Sequence, residues 1–219
     1  MSARLCLRSI CIAIGPRKLV TGLDLEVAPG EVVTLMGPSG SGKSTLLDYV
    51  GGHLGRAFSA SGRVLVGEAN VTALAPERRR IGVLFQDDLL FPHLSVWQNV
   101  GFGLARSDAS RRARRERVAF ELARVGLAGL EDQDPATLSG GQRARVALLR
   151  TLLSAPRALL LDEPFGKLDA ALRSEFRRIV FDQAAERGLP VLLVTHDRDD
   201  AAAAAGPVVI LDDGVGLRS

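Results

Sequence analysis

The residues of this chain most suited to chemistry form a glycine-rich stretch at positions 37–45. The pattern is G-x-x-x-x-G-K-[ST], which is typical of a loop that binds phosphate groups. Its glycines let the backbone turn N–H groups inward, and a helix that begins after Gly42 adds the positive end of its dipole. The predicted ligand is a polyphosphate, held by Gly37, Pro38, Ser39, Gly40, Ser41, Gly42, Lys43, Ser44 and Thr45.

Lys43 departs from the usage of basic residues elsewhere in the chain. Of the 28 basic residues only Lys18, Lys43 and Lys167 are lysines. A compact ammonium group fits between β- and γ-phosphates, whereas arginine carries a broad planar group. We therefore expect Lys43 to bind the terminal phosphates.

Two acids and a histidine follow short apolar runs later in the chain. The run at 158–161 ends in Asp162 and Glu163, and the run at 190–195 ends in His196. Such runs are typical of parallel strands buried on both faces, whose polar ends mark the active edge of a sheet. His53 and His93 have no such context, and we expect them to be structural.

Hydrophobic periodicity predicts the elements that must position these residues. Between Phe91 and Arg150 the patterns are helical, and on either side of that section strands prevail, so the predicted class is α/β. The predicted strands are 5–14, 22–27, 32–36, a pair within 61–70, 81–85, 158–163 and 190–196, with a closing hairpin at 208–214. The predicted helices begin after Gly42 and after the N-cap Ser110, and occupy 143–153 and 201–205.

Composition narrows the cellular context. The 219 residues can bury a full core in one or two domains. Cys6 and Cys11 lack metal-ligand spacing and are predicted to be free thiols in a reducing compartment. The apolar run at 10–14 is too short for a signal peptide, and no run approaches the ~18 residues of a spanning helix. We expect a protein that is soluble or peripheral to a membrane.

The densest charge lies at 111–117, where five arginines open a helix. A solvated helix face is the interpretation we favour, and contact with lipid phosphates or nucleic acid is the alternative. No aromatic residues are interleaved with these arginines, so the stacking half of a single-strand binding surface is missing. We expect no nucleic-acid partner, although the net charge is +3 and the pI about 9.3.

Two more motifs connect these pieces: the sequence LSGGQ at 138–142, and Gln86 directly after Phe85. In this order, the five motifs resemble those of the ATP-binding cassette (ABC) ATPases over essentially the whole chain. LSGGQ discriminates best, because nucleotide kinases and small GTPases share the phosphate loop and lack it. The resemblance implies a single nucleotide-binding domain over 1–219. This domain would have a P-loop NTPase core, an antiparallel β lobe and a helical subdomain inserted at roughly 88–155.

The resemblance also implies a role for each motif. ATP and Mg²⁺ would be the ligands, with Lys43 on the β- and γ-phosphates and Ser44 and Asp162 on the metal. Glu163 would polarise the attacking water and His196 would bind the γ-phosphate. Gln86 would contact metal or water and report nucleotide state to a partner. The LSGGQ residues would act on ATP held by a second copy, in a homodimer: Ser139, Gly140, Gly141 and Gln142.

The chain departs from the family pattern in two places. Members usually stack adenine on an aromatic residue roughly where Ile14 stands, whereas this chain has an aliphatic side chain there. The loop after Glu163 commonly reads Ser-Ala-Leu-Asp, whereas here it reads Gly-Lys-Leu-Asp at 166–169. The aspartate is kept, so we expect communication across the dimer with a changed surface.

The run at 85–100 is similar to ATPase subunits of bacterial importers for iron, sulfate, polyamines and thiamine, and the whole chain resembles a thiamine-type uptake ATPase. The implied partners are integral membrane permease subunits and a periplasmic or extracellular substrate-binding protein. The implied location is the cytoplasmic face of the bacterial inner membrane. An exporter or lipoprotein-release ATPase is an alternative, because it shares every catalytic motif. A soluble cassette ATPase acting on ribosomes or DNA is a weaker one, since such proteins usually have two cassettes or a long insertion.

Overall fold

The computed structural model describes residues 3–104, 110–212 and 215–218. The chain divides into two compact units. The first holds the chain up to Val83, the segment Arg157–Glu163 and the chain from Phe181 onward. The second holds Leu84–Pro156 and Pro164–Val180. The prediction of a single domain with a helical insertion at 88–155 stays a prediction.

Strands form two sheets, and the fold is α/β. The strands are β1 Leu5–Ile14, β2 Arg17–Val27, β3 Val32–Met36, β4 Phe58–Val66, β5 Ala69–Asn70, β6 Ile81–Leu84, β7 Ala158–Asp162, β8 Val191–Val194, β9 Val208–Asp212 and β10 Val215–Arg218. One sheet has the order β2-β1-β4-β5, and its pairs β1–β2, β1–β4 and β4–β5 are antiparallel. The other has the order β10-β9-β3-β8-β7-β6, in which the pairs β9–β3, β3–β8 and β8–β7 are parallel and β10 is antiparallel to β9.

The two sheets differ in burial as their sequence patterns predict. In β7 and β8 nearly every residue is buried, because a parallel sheet is covered on both faces. In β2 buried and exposed residues alternate from Leu23 to Val27, so this sheet has one solvated face. One core cluster combines buried side chains of both sheets with those of the helix that follows β3.

The helices are α1 Lys43–Gly51, α2 Pro76–Arg79, α3 Val96–Phe102, α4 Arg111–Arg124, α5 Gly140–Leu153, α6 Ala170–Glu186 and α7 Arg198–Ala204, with a 3₁₀ turn at Pro135–Thr137. Helices α3, α4 and α5 pack on one another in the second unit. The apolar side chains of Val118 and Leu122 in α4, and of Val125 directly after it, are buried. Ser110 caps α4 as predicted, since its hydroxyl accepts from the amide of Ala113.

The C-terminal end of α1 is closed by the buried side chain of Arg79. Its Nη1 donates to the carbonyl oxygens of Tyr49 and Val50 at 2.7 and 2.9 Å. Its Nε and Nη2 donate to the carbonyls of Leu74 and Thr72. A cation at this end complements the helix dipole and satisfies carbonyls that the helix leaves open. Arg79 thereby fixes the helix that carries Lys43.

Several predicted boundaries were wrong by a few residues. Strand β2 begins at Arg17 rather than 22, because it forms a long hairpin with β1. Helix α5 begins at Gly140 rather than 143, because Ser139 caps it directly. Helix α7 begins at Arg198 rather than 201, with Asp197 as its N-cap. The closing hairpin is present as β9 and β10, while residues 213 and 214 lie outside the described residues.

The aromatic neighbours of the α4 arginines come from outside the basic run. The guanidinium groups of Arg111 and Arg115 lie 5.5 and 5.6 Å from the ring centre of Trp97, which belongs to α3. Arg117 lies 5.9 Å from the ring of Phe120. Aromatic rings therefore lie near the basic run in space, although none is interleaved with it along the chain. Ion pairs of Arg112 with Glu116 and of Arg117 with Glu121 are typical of a solvated, charge-paired helix face.

Cys6 and Cys11 are both free thiols, as predicted. Burial raises the pKa of the Cys6 thiol, which keeps it protonated and unreactive. Among the residues that the structure describes, no helix is long and apolar enough to cross a membrane.

Candidate active site

The ends of three parallel strands place the candidate residues at one edge of the larger sheet. Leu35 of β3 pairs with Val194 of β8, and Val194 pairs with Asp162 of β7, so the three strands end level. The next residues of each chain segment therefore emerge side by side. This register explains why the phosphate loop, Glu163 and His196 belong to one site, although they are far apart in sequence.

The phosphate loop between β3 and α1 depends on glycine at two positions. Gly42 has φ +94°, and a Cβ there would lie 3.0 Å from the Cβ of Leu19. A Cβ at Gly37 would lie 2.2 Å from the carbonyl oxygen of Leu211. Both positions exclude a side chain, by left-handed backbone conformation at Gly42 and by close approach at Gly37. The loop consequently presents backbone to the space above it.

Lys43 is the first residue of α1 and its side chain is buried. Its ammonium donates to the carbonyl oxygens of Gly37 and Pro38 at 2.9 and 2.8 Å, which holds it over the loop. An ammonium group has three donors, so it can bind a phosphate oxygen as well. A cleft of about 300 Å³ opens here, lined by Leu19, Ser39, Gly40, Gly42, Lys43, Ser44, Thr45 and Glu163.

Ser44, which lines this cleft, is hydrogen-bonded to Asp162. The Ser44 hydroxyl donates to Oδ1 of Asp162 at 3.0 Å. Burial raises the pKa of Asp162, the nearby charges of Glu163 and Asp48 add to the rise, and the Ser44 hydrogen bond opposes it. The Asp162 carboxylate and the Ser44 hydroxyl are a pair of hard oxygen donors suited to a divalent cation.

Glu163 and His196 form a second pair at the same edge. Nδ1 of His196 lies 3.2 Å from Oε1 of Glu163. Glu163 has φ +46°, a left-handed conformation that a non-glycine residue adopts only under local constraint. Its amide still donates to the carbonyl of Val194 at 2.9 Å, so the strand ladder continues to this residue before the chain turns. The turn aims the carboxylate into the cleft that holds Lys43.

The loop that carries His196 is fixed by its neighbours. The Thr195 hydroxyl donates to Oδ2 of Asp200 at 2.6 Å and accepts from the amide of Asp197 at 3.0 Å. Thr195 and Asp200 are both buried. The imidazole itself is exposed and can reach a ligand. This support was not predicted from the sequence, because Thr195 and Asp200 flank the motif without belonging to it.

Arg17 makes a contact with the phosphate loop that sequence reasoning missed. Its Nη2 donates to the carbonyl oxygen of Gly40 at 3.2 Å. The two residues are far apart in sequence, and they meet because the β1–β2 hairpin folds against the loop. A basic residue two positions after Gly15, at the start of a strand, was the one available signal.

The LSGGQ residues open α5 in the second unit. Ser139 and Gln142 form a capping box: the Ser139 hydroxyl accepts from the amide of Gln142 at 3.3 Å, and Gln142 Oε1 accepts from the amide of Ser139 at 2.8 Å. Gly140 and Gly141 occupy the first two helical positions, whose amides have no partner inside a helix. This helix end can bind an anion through those two amides.

Gln86 is exposed and also belongs to the second unit. The two residues after it are tied to other parts of that unit. Asp87 forms an ion pair with Lys167, and Oδ2 of Asp88 lies 3.4 Å from Nε of Arg143, on α5. Arg143 also donates to the carbonyl of Leu138 at 2.6 Å. Lys167, which replaces the expected alanine, thus connects its loop to the Gln86 segment, an effect not predicted from the substitution alone.

Comparison with known families decides the identity of the chain. The family model described as ABC transporter matches residues 20–166, from β2 to the loop after Glu163. This chain belongs to the ABC transporter family. It is an ABC transporter ATPase domain, and the phosphate loop and the Asp162–Glu163 pair lie within the matched range.

Three relatives illustrate the range of similar proteins. The uncharacterized ABC transporter ATP-binding protein YnjD of Escherichia coli (strain K12) is 48% identical over 199 residues, covering 91% of each chain. The thiamine import ATP-binding protein ThiQ of Cereibacter sphaeroides is 44% identical, covering 87% of this chain and 81% of ThiQ. The Fe(3+) ions import ATP-binding protein FbpC 1 of Rhizobium meliloti is 41% identical, but this ABC ATPase chain spans only 58% of it.

Solved structures of the ABC cassette MJ0796 share the fold. A dimeric structure of MJ0796 has a TM-score of 0.82 at 30% identity, covering 98% of this chain and 97% of that chain. A second MJ0796 structure, with the same TM-score, is a dimeric post-hydrolysis state bound to ADP and Pi. The ABC ATPase fold of this chain is thus shared over nearly its whole length.

Proposed function

We propose that this chain is the ATP-hydrolysing subunit of a bacterial ABC importer. The observation that carries the proposal is the meeting of Lys43, Ser44, Asp162, Glu163 and His196 around one glycine-lined cleft. Cation, hydroxyl and carboxylate at one sheet edge are the groups that phosphoryl transfer needs. The names of the import ATPase relatives support the transport role.

In the proposed reaction the loop amides and Lys43 bind the β- and γ-phosphates of ATP. Glu163 accepts a proton from the water that attacks the γ-phosphate, and its left-handed backbone aims the carboxylate toward that water. His196, 3.2 Å from Glu163, orients that carboxylate and donates to the γ-phosphate as charge develops. The buried turn at Thr195 keeps the imidazole in reach of both groups.

Mg²⁺ fits the oxygen donors of Ser44 and Asp162. Ser44 and Asp162 supply a hydroxyl and a carboxylate, and the raised pKa of Asp162 reflects a carboxylate that a cation would stabilise. Mg²⁺ commonly takes one or two protein ligands and completes its shell with water and substrate phosphates. Bound there, it would neutralise charge on the phosphates during transfer. Gln86 is proposed as a further ligand of metal or water.

Two copies of the chain are proposed to enclose ATP. The amides of Gly140 and Gly141 at the α5 N-terminus suit an anion, and so do the amides of the phosphate loop. In a homodimer, Ser139, Gly140, Gly141 and Gln142 of one copy would meet the γ-phosphate held by the other. The dimeric MJ0796 cassettes support this arrangement. ATP would then join the subunits, and hydrolysis would release them.

Permease subunits are the proposed partners in the membrane. The second unit exposes apolar side chains, with Leu89 58% and Phe102 67% exposed, and the ring of Phe102 lies tilted against that of Phe91 with 4.8 Å between their centres. An exposed apolar cluster of this kind is typical of a docking surface. The subunit would lie at the cytoplasmic face of the cell membrane, working with a substrate-binding protein. A thiamine-like cargo is the proposal that ThiQ supports.

Hydrolysis by the purified chain tests the enzymatic part. We expect Mg²⁺-dependent phosphate release from ATP, loss of ATP binding in Lys43→Ala, and retained binding without turnover in Glu163→Gln. Glu68→Gln, an exposed acid outside the cleft, is the matched control and should hydrolyse ATP normally. If Glu163→Gln works within about tenfold of wild type, Glu163 is not the base.

Uptake by whole cells tests the cargo. Deletion of the gene should abolish accumulation of labelled thiamine, and the wild-type gene should restore it while Glu163→Gln should not. Unchanged thiamine uptake, with loss of iron or sulfate uptake in the same cells, would reassign the cargo. Unchanged uptake of all three would oppose the importer proposal.

A further inference from the structure

Arg17 lies on β2, the strand that forms one wall of the phosphate cleft. Leu19 lines the cleft and lies against Gly42, at the start of α1. Arg17, two residues earlier on β2, reaches Gly40 through its guanidinium group. The wall formed by β2 therefore runs from the phosphate-binding amides, past Leu19, to Arg17.

The strand pairing shows which side chains share this wall. Ile14 of β1 is the direct cross-strand partner of Arg17, so the two side chains project from the same face of the sheet. Ile14 is 38% exposed. Lys18, the next residue along β2, pairs with Ala13 and projects from the opposite face. The hairpin end thus directs one cation toward the phosphate loop and one away from it.

A nucleotide held by the loop needs a surface for its base beyond the phosphates. Among the described residues that line the cleft, none is aromatic. A guanidinium group is planar and stacks on rings, and Arg planes stack on nucleobases in other proteins. The hydrogen bond to Gly40 fixes one edge of the Arg17 plane, so less side-chain freedom is lost when a base binds.

We infer that Arg17 binds the nucleobase, with its guanidinium plane against one face of the ring and Ile14 beside it. The inference rests on the proposed function, since ATP is taken as the ligand. Stacking accepts any base, because every base presents a π face. ATP and GTP should therefore bind with similar affinity, and Arg17 should contribute equally to both.

Calorimetric titration with a base-free ligand separates this role from support of the loop. We expect Arg17→Ala to weaken ATP and GTP binding on the order of tenfold, which is a typical stacking or cation–π contribution. Binding of inorganic tripolyphosphate should change less than about twofold, because it lacks the base. Arg17→Lys keeps the charge without the plane and should resemble Arg17→Ala for ATP. Lys18→Ala, with its side chain on the other face, is the matched control and should bind all three ligands like wild type.

Three results would overturn the inference. Equal weakening of ATP and tripolyphosphate in Arg17→Ala would make Arg17 a residue that only positions the loop. Full ATP affinity in Arg17→Lys would make it a charge contact with phosphate. An Arg17→Ala protein whose ATP affinity is not improved by Ile14→Tyr would place the base elsewhere. Failure of the proposed function looks different, because the wild-type chain would then bind neither ATP nor tripolyphosphate.

Discussion

The N-termini of α1 and α5 treat the unpaired backbone amides of their first turns in opposite ways. Each is a helix end preceded by glycine or serine, and neither first turn contains an acid. At α1 the N-cap is Gly42, whose lack of a side chain leaves the first amides open. At α5 the N-cap is Ser139, and its capping box with Gln142 closes two donors internally. The first end is built to need a ligand, while the second is stable alone.

The difference extends to the charges around each end. Lys43 is the first residue of α1, where a cation opposes the helix dipole. Below it, Asp162 is held at a raised pKa by burial. Both features weaken the unliganded site and become favourable when phosphate and metal bind. At α5 the nearby charge of Arg143 is occupied by Asp88 and the Leu138 carbonyl. The interactions that are unfavourable without a ligand therefore lie at α1.

The largest expected effect tests whether the two ends act on one nucleotide. Glu163→Gln with Mg-ATP should convert the isolated chain from monomer to dimer, because ATP stays bound between two copies. Adding Ser139→Arg should abolish the dimer, since a long side chain at the α5 N-cap would fill the space of the partner's phosphates. Size-exclusion chromatography with light scattering measures this shift.

Ser110→Arg in the Glu163→Gln protein is the matched control. Ser110 caps α4 through the amide of Ala113, so this change also removes a serine cap and adds an arginine. It should leave the dimer intact. A dimer that survives Ser139→Arg would mean that α5 does not face a shared nucleotide, and the two helix ends would then be unrelated.

A second test compares the glycines themselves. Gly42→Ala should weaken ATP binding on the order of a hundredfold, because its φ of +94° is strained for alanine and the new Cβ would press on Leu19. Gly140→Ala should leave monomeric binding unchanged, since the nearest atom to its Cβ is the end of Arg143 at 3.9 Å. Fluorescent nucleotide titration measures both. Equal losses in the two variants would contradict the contrast.

Much of the α1 site could be predicted from sequence, for a physical reason. Parallel strands buried on both faces read as unbroken apolar runs, so the polar residues Asp162, Glu163 and His196 mark one edge without further information. The phosphate loop is equally local, because its glycines, Lys43 and Ser44 are consecutive. When a site is built from strand ends, each of its parts can be recognised from its own local sequence.

The long-range contacts that sequence reasoning missed join segments through packing. Arg17 reaches Gly40 across a separation of 23 residues, and Lys167 reaches Asp87 across 80. Trp97 meets Arg111 and Arg115 only because α3 packs on α4. No periodicity or motif in either partner announces such pairs. The sequence predicts which elements exist and where their ends lie, but not which surface side chains meet.

A smaller effect tests whether the buried, ionised carboxylate of Asp162 destabilises the fold. An acid whose pKa is raised in the folded state opposes folding once it is ionised, so its cost appears as pH rises above the unfolded pKa of about 3.9. Asp162→Asn should therefore raise the Tm of the nucleotide-free chain by a few degrees at neutral pH. The gain should vanish toward pH 3, where both states are protonated.

The same variant should lose the stabilisation that Mg-ATP gives to wild type, because the amide is a poor ligand for a hard cation. Scanning calorimetry between pH 3 and pH 8, with and without Mg-ATP, measures both effects. Asp48→Asn is the matched control: burial also raises the pKa of Asp48, so its apo protein should gain Tm similarly while keeping the Mg-ATP response. A Tm for Asp162→Asn below that of wild type at neutral pH would contradict the claim that ionised Asp162 destabilises the nucleotide-free fold.

The smallest expected effect concerns the capping box at α5. Ser139→Ala removes the hydroxyl that accepts from the Gln142 amide, and such a loss typically costs about 1 kcal/mol of unfolding free energy. Monomeric ATP binding should not change, because the nucleotide of the same copy is held at α1. Ser110→Ala should lose a similar amount, since its bond to Ala113 has nearly the same length, 3.2 Å. Urea titration resolves differences of this size. A Ser139→Ala chain as stable as wild type, beside a destabilised Ser110→Ala chain, would mean that Ser139 is kept for the partner's nucleotide and not for its own helix.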